Sequence, residues 1–204
     1  MYPVVKRVLD FALAAISVVA LAPLIAIIAI LVYLNLGSPV TYKQQRPGLH
    51  GRPFELVKFR SMREAFGEDG QPLPNDQRMT PFGRFLRSLS LDELPELWNI
   101  LRGDMSIVGP RPLLMEYLPL YNERQARRHE VKPGLTGWCQ VNGRNSLSWE
   151  EKFDLDIWYV ENASLSLDIK IIFKTFLTVI RREGISHEGD VAMPRFRGSR
   201  DGHS

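Results

Sequence analysis

The longest feature of the hydrophobic pattern is a run of 26 residues, Phe11 to Leu36, broken in apolar character only by Ser17, Pro23 and Asn35. It is apolar on every face and does not fit the one-sided stripe of a soluble helix. A straight helix of this length is roughly 39 Å long, more than the ~30 Å hydrocarbon core of a bilayer. It also exceeds the about 7–15 apolar residues of a cleavable signal peptide. The pattern therefore predicts a membrane helix. Lys6 and Arg7 precede it, and Lys43, Arg46, Arg52, Lys58 and Arg60 follow it. A spanning helix usually carries its basic excess on one side. Pro23, near the centre, lacks an amide donor and kinks or breaks a helix. Two arrangements stay open: a spanning helix with a tolerated proline, or a segment that enters one leaflet, turns and leaves by the same face.

Beyond this segment the periods are shorter. Residues 53–60 alternate apolar and polar and predict a strand. Glu64 to Asn75 is polar with Gly and Pro and predicts a loop. Pro81 to Leu101 has a helical pattern, with Leu86, Leu89, Leu94, Leu97 and Leu101 near one stripe. Gly103 to Pro112 reads as a turn-rich loop, and Leu113 to His129 as a helix closed by Pro133-Gly134. Leu165 to Arg182 predicts a second amphipathic helix. Its apolar set is Leu167, Ile169, Ile172, Phe173, Phe176, Leu177 and Ile180, and Lys170, Lys174, Arg181 and Arg182 are polar. Such a helix suits a bilayer surface, and it equally suits packing on a domain core. The tail from Gly198 is polar. No internal repeat or low-complexity block is present.

Composition sharpens this picture in two places. The 204 residues are 45% hydrophobic and 24% charged, a globular average that hides a segregation, because no charge falls between Phe11 and Tyr42. The net charge of +3 and pI of about 9.1 fit an anionic surface or substrate, and fit an ordinary solvated exterior as well. The single cysteine, Cys139, excludes a disulfide within the chain and fits a reducing compartment. The four histidines (His50, His129, His187, His203) are too scattered for a zinc site.

The densest chemistry lies in Ser88-Leu-Ser-Leu-Asp-Glu-Leu-Pro95. Ser90 and Glu93 have the spacing of a capping box, and Asp92 is an alternative cap with Pro95 in the first turn. The same place suits catalysis, because helix-end amides favour phosphate and keep a carboxylate ionised. The adjacent acids Asp92 and Glu93 are also hard oxygen ligands suited to Mg²⁺. Arg87 precedes them, Arg111 is stiffened between Pro110 and Pro112, and Lys58 and Arg60 end the predicted strand. Guanidinium groups match phosphate oxygens in pairs, so this set is a candidate diphosphate site. Residues 134–145, with Gln140, Asn142 and Arg144, could line a nucleotide or sugar pocket but match no P-loop or dinucleotide fingerprint. Asp154, Asp156 and Asp168 belong to no local motif.

Several blocks together resemble a known family. They are Lys6-Arg-Val-Leu-Asp-Phe11, Gln45-Arg-Pro-Gly48, Lys58-Phe-Arg-Ser-Met62, Arg87-Ser-Leu-Ser-Leu-Asp-Glu-Leu94, Gly103-Asp-Met-Ser-Ile-Val-Gly-Pro-Arg-Pro112, and Pro133-Gly-Leu-Thr-Gly-Trp138 with Gln140-Val-Asn-Gly-Arg144. The chain resembles the small monotopic phosphoglycosyl transferases of the bacterial sugar transferase family, including those that initiate Campylobacter-type N-glycosylation. It is expected to be the minimal form, with no large membrane module before these motifs.

The resemblance implies a mostly α fold with short β elements. Residues 1–40 would form a re-entrant helix-break-helix anchor broken at Ala22-Pro23, where many relatives have Ser before the proline. Residues 41–204 would form a small cytosolic catalytic domain with amphipathic interfacial helices. It implies that Asp92 attacks the β-phosphate of a UDP-sugar, that UMP leaves, and that undecaprenyl phosphate takes the phosphosugar from the aspartyl intermediate. Glu93 completes the catalytic pair, with Mg²⁺ beside both acids. Lys58, Arg60, Arg87 and Arg111 would bind phosphate, and Gln140, Asn142, Arg144 and Asp156 the nucleotide or sugar.

Closeness of the overall resemblance favours N-acetylated UDP-sugars (di-N-acetylbacillosamine, GlcNAc or GalNAc) over UDP-galactose or UDP-glucose. The expected location is the bacterial inner membrane with the catalytic domain facing the cytoplasm, and the expected partners are UDP-sugar, polyprenyl phosphate and membrane lipid, without nucleic acid. An oligomer is compatible with these features and not specified by them. A UDP-releasing membrane glycosyltransferase and a non-catalytic membrane scaffold are the competing readings.

Overall fold

The computed structural model describes residues 2–143, 147–181 and 195–198. The apolar run forms most of one helix, α1 (Tyr2–Leu36), with Pro23 inside it. The expected interruption at Ala22-Pro23 therefore does not end the helix. Its local effect is the missing amide of Pro23, which leaves the carbonyl four residues earlier without its usual donor. Gly37, at φ 76°, closes the helix and returns its amide to the Tyr33 carbonyl at 2.8 Å. Only 11% of the most apolar stretch of α1 is buried, which separates it from the core helix of a soluble protein.

Two antiparallel strands follow, β1 (Thr41–Pro47) and β2 (Pro53–Phe59). The loop after them holds the short α2 (Asn75–Arg78) and leads to α3 (Pro81–Ser88), a 3₁₀ turn at Leu91–Glu93, and α4 (Glu96–Arg102). The helix expected across 81–101 is thus two helices and a turn. Ser90 adopts the left-handed conformation (φ 54°, ψ 24°) between them, and Pro95 cannot continue a helix from before it. The supposed single stripe divides accordingly. Leu97 and Leu101 join one core and Leu86 and Leu94 another.

β3 (Ser106–Val108) is a short strand inside the expected loop, and it pairs in parallel with β4 (Gly134–Thr136). Between these strands the helix expected over 113–129 is replaced by a 3₁₀ stretch at Met115–Leu120, α5 (Glu123–Ala126) and a 3₁₀ turn at Arg127–Glu130. Pro119 and the Asn122–Gln125 capping box set those boundaries. α6 (Trp138–Val141), α7 (Trp149–Asn162) and α8 (Leu165–Arg181) complete the described fold. α7 begins at a second capping box, Ser148 with Glu151.

Both sides of Pro23 contribute to cores. Ala14 packs with Leu56, Leu97, Ile100 and Met105, whereas Ile28 and Val32 pack with Phe59 and Leu86. The polar start of α1 is tied down as well. Arg7 donates to the carbonyls of Ile100 and Leu101 at 2.6 and 2.9 Å. Asp168 at the start of α8 accepts from Tyr2 (2.9 Å), Lys6 (2.8 Å) and Tyr159 (2.7 Å). The apolar set of α8 splits between two fates. Leu167 joins the core around Val108 and Tyr159, while Ile169, Ile172, Phe173 and Phe176 are exposed.

Candidate active site

The site is assembled where α3, the 3₁₀ turn and α4 meet β2. α3 starts cleanly, with Pro81 in its first turn and the Thr80 hydroxyl accepting from the Gly83 amide at 3.0 Å. Gly83 is required by close approach, since a Cβ there would lie 1.8 Å from the Ser61 carbonyl oxygen. This contact lets Arg87, one turn further on, donate from Nε to Ser61 Oγ at 2.9 Å. α4 docks on β2 through Asn99, which is fully buried. Its amide donates to the Glu55 carbonyl at 2.7 Å and its oxygen accepts from the Val57 amide at 3.1 Å. Gly103 (φ 91°) ends α4 in a left-handed cap.

This docking brings Lys58 of β2 to the acids. Its Nζ lies 2.7 Å from Glu93 Oε1 and 2.9 Å from Glu96 Oε1. Arg111 donates from Nη2 to the same Glu93 oxygen. Glu93 is held by two cations, whereas Asp92 is engaged by no hydrogen bond or ion pair among the described residues, although it is only 7% exposed. Neither acid acts as the expected cap: no side-chain cap bond is made by Ser90, and Pro95 occupies the N-cap position of α4.

The electrostatics differ between neighbours. Burial pushes the Asp92 carboxyl above its ordinary range, and the adjacent Glu93 charge adds to this, while Lys58, Arg87 and Arg111 oppose it. Glu93 is buried too, but the charges and hydrogen bonds of Arg111 and Lys58 overcome that and hold it at about 2. Burial also raises Glu96, with Lys58 acting against it. The arrangement is one available carboxylate beside one that is fixed and ionised, with cations on both sides.

A family model for bacterial sugar transferases matches residues 1–182. The chain belongs to the bacterial sugar transferase family. It is 53% identical over 198 residues to an uncharacterized sugar transferase, EpsL, of Bacillus subtilis, covering 97% of this chain and 98% of that protein. It is 43% identical over 165 residues to the undecaprenyl-phosphate galactose phosphotransferase of Salmonella typhimurium, covering 72% of this chain and 35% of that protein. It is 42% identical over 191 residues to the UDP-glucose:undecaprenyl-phosphate glucose-1-phosphate transferase of Xanthomonas campestris pv. campestris, covering 88% of this chain and 39% of that protein. The chain spans nearly all of EpsL and roughly two fifths of the two relatives whose names state an activity.

In this sugar transferase, five of the expected site residues, Lys58, Arg87, Asp92, Glu93 and Arg111, gather at one place. Arg60 does not join them. It is buried and donates to the carbonyls of Leu36 and, at 3.2 Å, Ser38, so it holds the end of α1 instead of facing the acids. Asn142 bridges α6 and α8, donating to the Trp138 carbonyl at 2.7 Å and accepting from Lys174 at 3.0 Å. Asp156 is buried against Arg128, which donates to it from Nε and Nη2 at 3.1 and 2.6 Å. Gln140 carries a buried amide with no hydrogen-bond partner among the described residues. Arg144 lies outside the described residues. Cys139 is partly buried and its thiol is pushed up to about 12 by burial, in keeping with a packed, unreactive residue. Glu96 and Asn99 also belong to this site and lie outside the motifs read from the sequence. The spacing Glu93-x-x-Glu96 is the only local signal for the former, and Asn99 carries none.

Proposed function

We propose that this bacterial sugar transferase moves a hexose 1-phosphate from a UDP-hexose to undecaprenyl phosphate, with Asp92 as the nucleophile. One observation carries the reading: Asp92 is buried, has no ion-pair or hydrogen-bond partner among the described residues, and is flanked by Arg87, Lys58 and Arg111, while its neighbour Glu93 is clamped by two of them. An Asp92 carboxylate oxygen forms a bond to the β-phosphorus. The bond from that phosphorus to the α–β bridging oxygen breaks, and UMP departs with the oxygen. An oxygen of the polyprenyl phosphate then attacks the same phosphorus, and the carboxylate is released. A carboxylate is a modest nucleophile, so placement and charge neutralisation supply most of the acceleration. Arg111 and Lys58 are placed to offset the diphosphate charge, and Arg87 borders Asp92.

The residues fit a Mg²⁺ ion, since the Asp92 oxygens have no hydrogen-bond or ion-pair partner among the described residues and Glu93 is an ionised neighbour. Among the described residues no group of three or more His, Cys, Asp and Glu could hold a metal, so substrate oxygens and water would complete the shell. Bound there, the ion would supply neutralisation of phosphate charge.

The galactose and glucose in the names of the relatives support a plain hexose, and nothing in those names supports the N-acetylated sugar expected from the resemblance. The anchor is read as re-entrant, with residues 1–40 entering and leaving the cytoplasmic face of the inner membrane and the remainder forming the catalytic domain. Support comes from packing on both sides of Pro23. Ala14 and Val32 would stand roughly 27 Å apart on a straight helix. The two cores they join include Leu56 and Phe59, which are three residues apart on β2, about 10 Å. The exposed Ile169, Ile172, Phe173 and Phe176 of α8 suit the interface beside it.

The test is nucleotide release from a panel of UDP-sugars in the presence of undecaprenyl phosphate. UMP with UDP-glucose or UDP-galactose is expected. UDP as the product would mean glycosyl transfer, and no turnover with any donor would return the scaffold reading. Cysteine labelling near residues 10 and 40 should place both on the cytoplasmic face, and opposite faces would overturn the re-entrant arrangement.

A further inference from the structure

Arg111 sits at the crown of a short arch, Gly109-Pro-Arg-Pro112, whose prolines have no amide to bond. Its backbone is held from outside through its carbonyls. The Pro110 carbonyl accepts from the Gly134 amide at 3.0 Å, and the Pro112 carbonyl from Arg46 Nη1 at 3.3 Å. The Arg111 carbonyl accepts from Arg128 Nη2 at 2.8 Å. Gly109 fixes the foot of the arch by donating to the Thr136 carbonyl at 2.9 Å, and a Cβ there would lie 2.3 Å from the Lys132 carbonyl oxygen.

Arg128 is 3% exposed and Asp156 4% exposed. The guanidinium lies 5.9 Å from the Tyr121 ring centre and 5.8 Å from that of Phe153. A buried ion pair is costly to desolvate and often contributes little net stability. Its fork has a geometric use here: one Nη2 bonds both the Asp156 carboxylate and the Arg111 carbonyl. A lysine, a point charge on a flexible stem, does not reproduce this geometry.

We infer that Arg128, aimed by Asp156, is a positioning residue for Arg111, holding its backbone so that its side chain meets Glu93 and the donor diphosphate. Asp156 thereby serves the site from behind and does not touch nucleotide or sugar. The inference rests on the proposed transfer reaction for its catalytic consequence.

The experiment is a double-mutant cycle on the purified full-length protein with Arg128→Lys and Arg111→Ala, read in kcat for UMP release and separately in melting temperature. Arg128→Lys retains the charge opposite Asp156, and Asp156→Asn serves as the second route into the same cycle should the lysine variant fold poorly. Arg128→Lys alone is expected to lower kcat by on the order of tenfold, with a smaller change in KM for the donor. In the Arg111→Ala background the same change should lower kcat less than twofold, because the group it positions is gone. Losses that multiply would overturn the inference, as would an Arg128→Lys protein with wild-type kcat. A wild type that releases no UMP would sink the proposed reaction alone. The melting-temperature cycle then decides the positioning: a smaller loss on removing Arg111 in the Arg128→Lys background supports it, and equal losses in both backgrounds overturn it.

Discussion

Lys58 and Glu93 meet at 2.7 Å although 35 residues separate them, and the same Nζ reaches Glu96 at 2.9 Å. One ammonium therefore serves a carboxylate from the 3₁₀ turn and another from α4. Replacing Lys58 by Met leaves the buried Glu96 without its ion-pair partner, while Glu93 keeps Arg111. Breaking such a cluster costs about 2–3 kcal/mol, below the range for fully buried pairs because Lys58 and Glu93 retain some solvent contact. Thermal unfolding of Lys58→Met should shift down accordingly, and adding Glu96→Gln should restore part of the loss by removing the stranded charge. A melting temperature unchanged by Lys58→Met would contradict this account of the cluster.

Ser90 turns the chain between α3 and the acidic turn in a left-handed conformation that only glycine adopts freely. Its side chain makes no cap bond that a substitution would lose. Ser90→Gly is expected to stabilise the fold by about 0.5–1 kcal/mol, less the extra entropy glycine brings to the unfolded chain, and Ser90→Val to destabilise it by more than 1 kcal/mol. Chemical denaturation of the pair checks the sign of each. A Val variant as stable as wild type would mean that the turn does not demand positive φ.

The part of the site that could be read from the sequence and the part that could not differ for a physical reason. Asp92, Glu93, Arg87, Arg111 and Lys58 stand out because acids, cations and prolines cluster locally. The strand at 53–59 shows through its alternation, and the membrane helix through its length. β1 does not show, because Thr41-Tyr-Lys-Gln-Gln-Arg-Pro47 is largely polar and owes its strand to pairing with β2. The split at Ser90 is marked in the sequence only by Pro95, against a leucine spacing that continues across it. Arg60 has the same local credentials as Lys58, and only the fold sends it to the end of α1. Asn99, Glu96 and the Arg128–Asp156 pair depend on partners 28 to 44 residues away, which no local pattern reveals.

The nucleophile must be ionised to attack, and burial with the Glu93 charge sets Asp92 above the ordinary aspartate range, near 4. In the metal-free protein Asp92 should therefore take up its proton at a midpoint higher than that of an unperturbed aspartate, and a bound cation would pull that midpoint down. Arg111 opposes the upward shift, so Arg111→Ala should move the midpoint further up. Carboxyl ¹³C chemical shifts recorded against pH without Mg²⁺ report this. A midpoint at or below the usual aspartate value in the metal-free wild type would contradict the environment described for Asp92.

The central claim is that Asp92 carries the sugar phosphate covalently. Wild-type protein should be incubated with UDP-glucose or UDP-galactose and Mg²⁺ without any polyprenyl phosphate, and its intact mass recorded. The account predicts a gain of one hexose phosphate that maps to Asp92, disappears on adding undecaprenyl phosphate, and is absent from Asp92→Asn. An Asp92→Asn protein that gains the same mass, or that turns over near the wild-type rate, would contradict it.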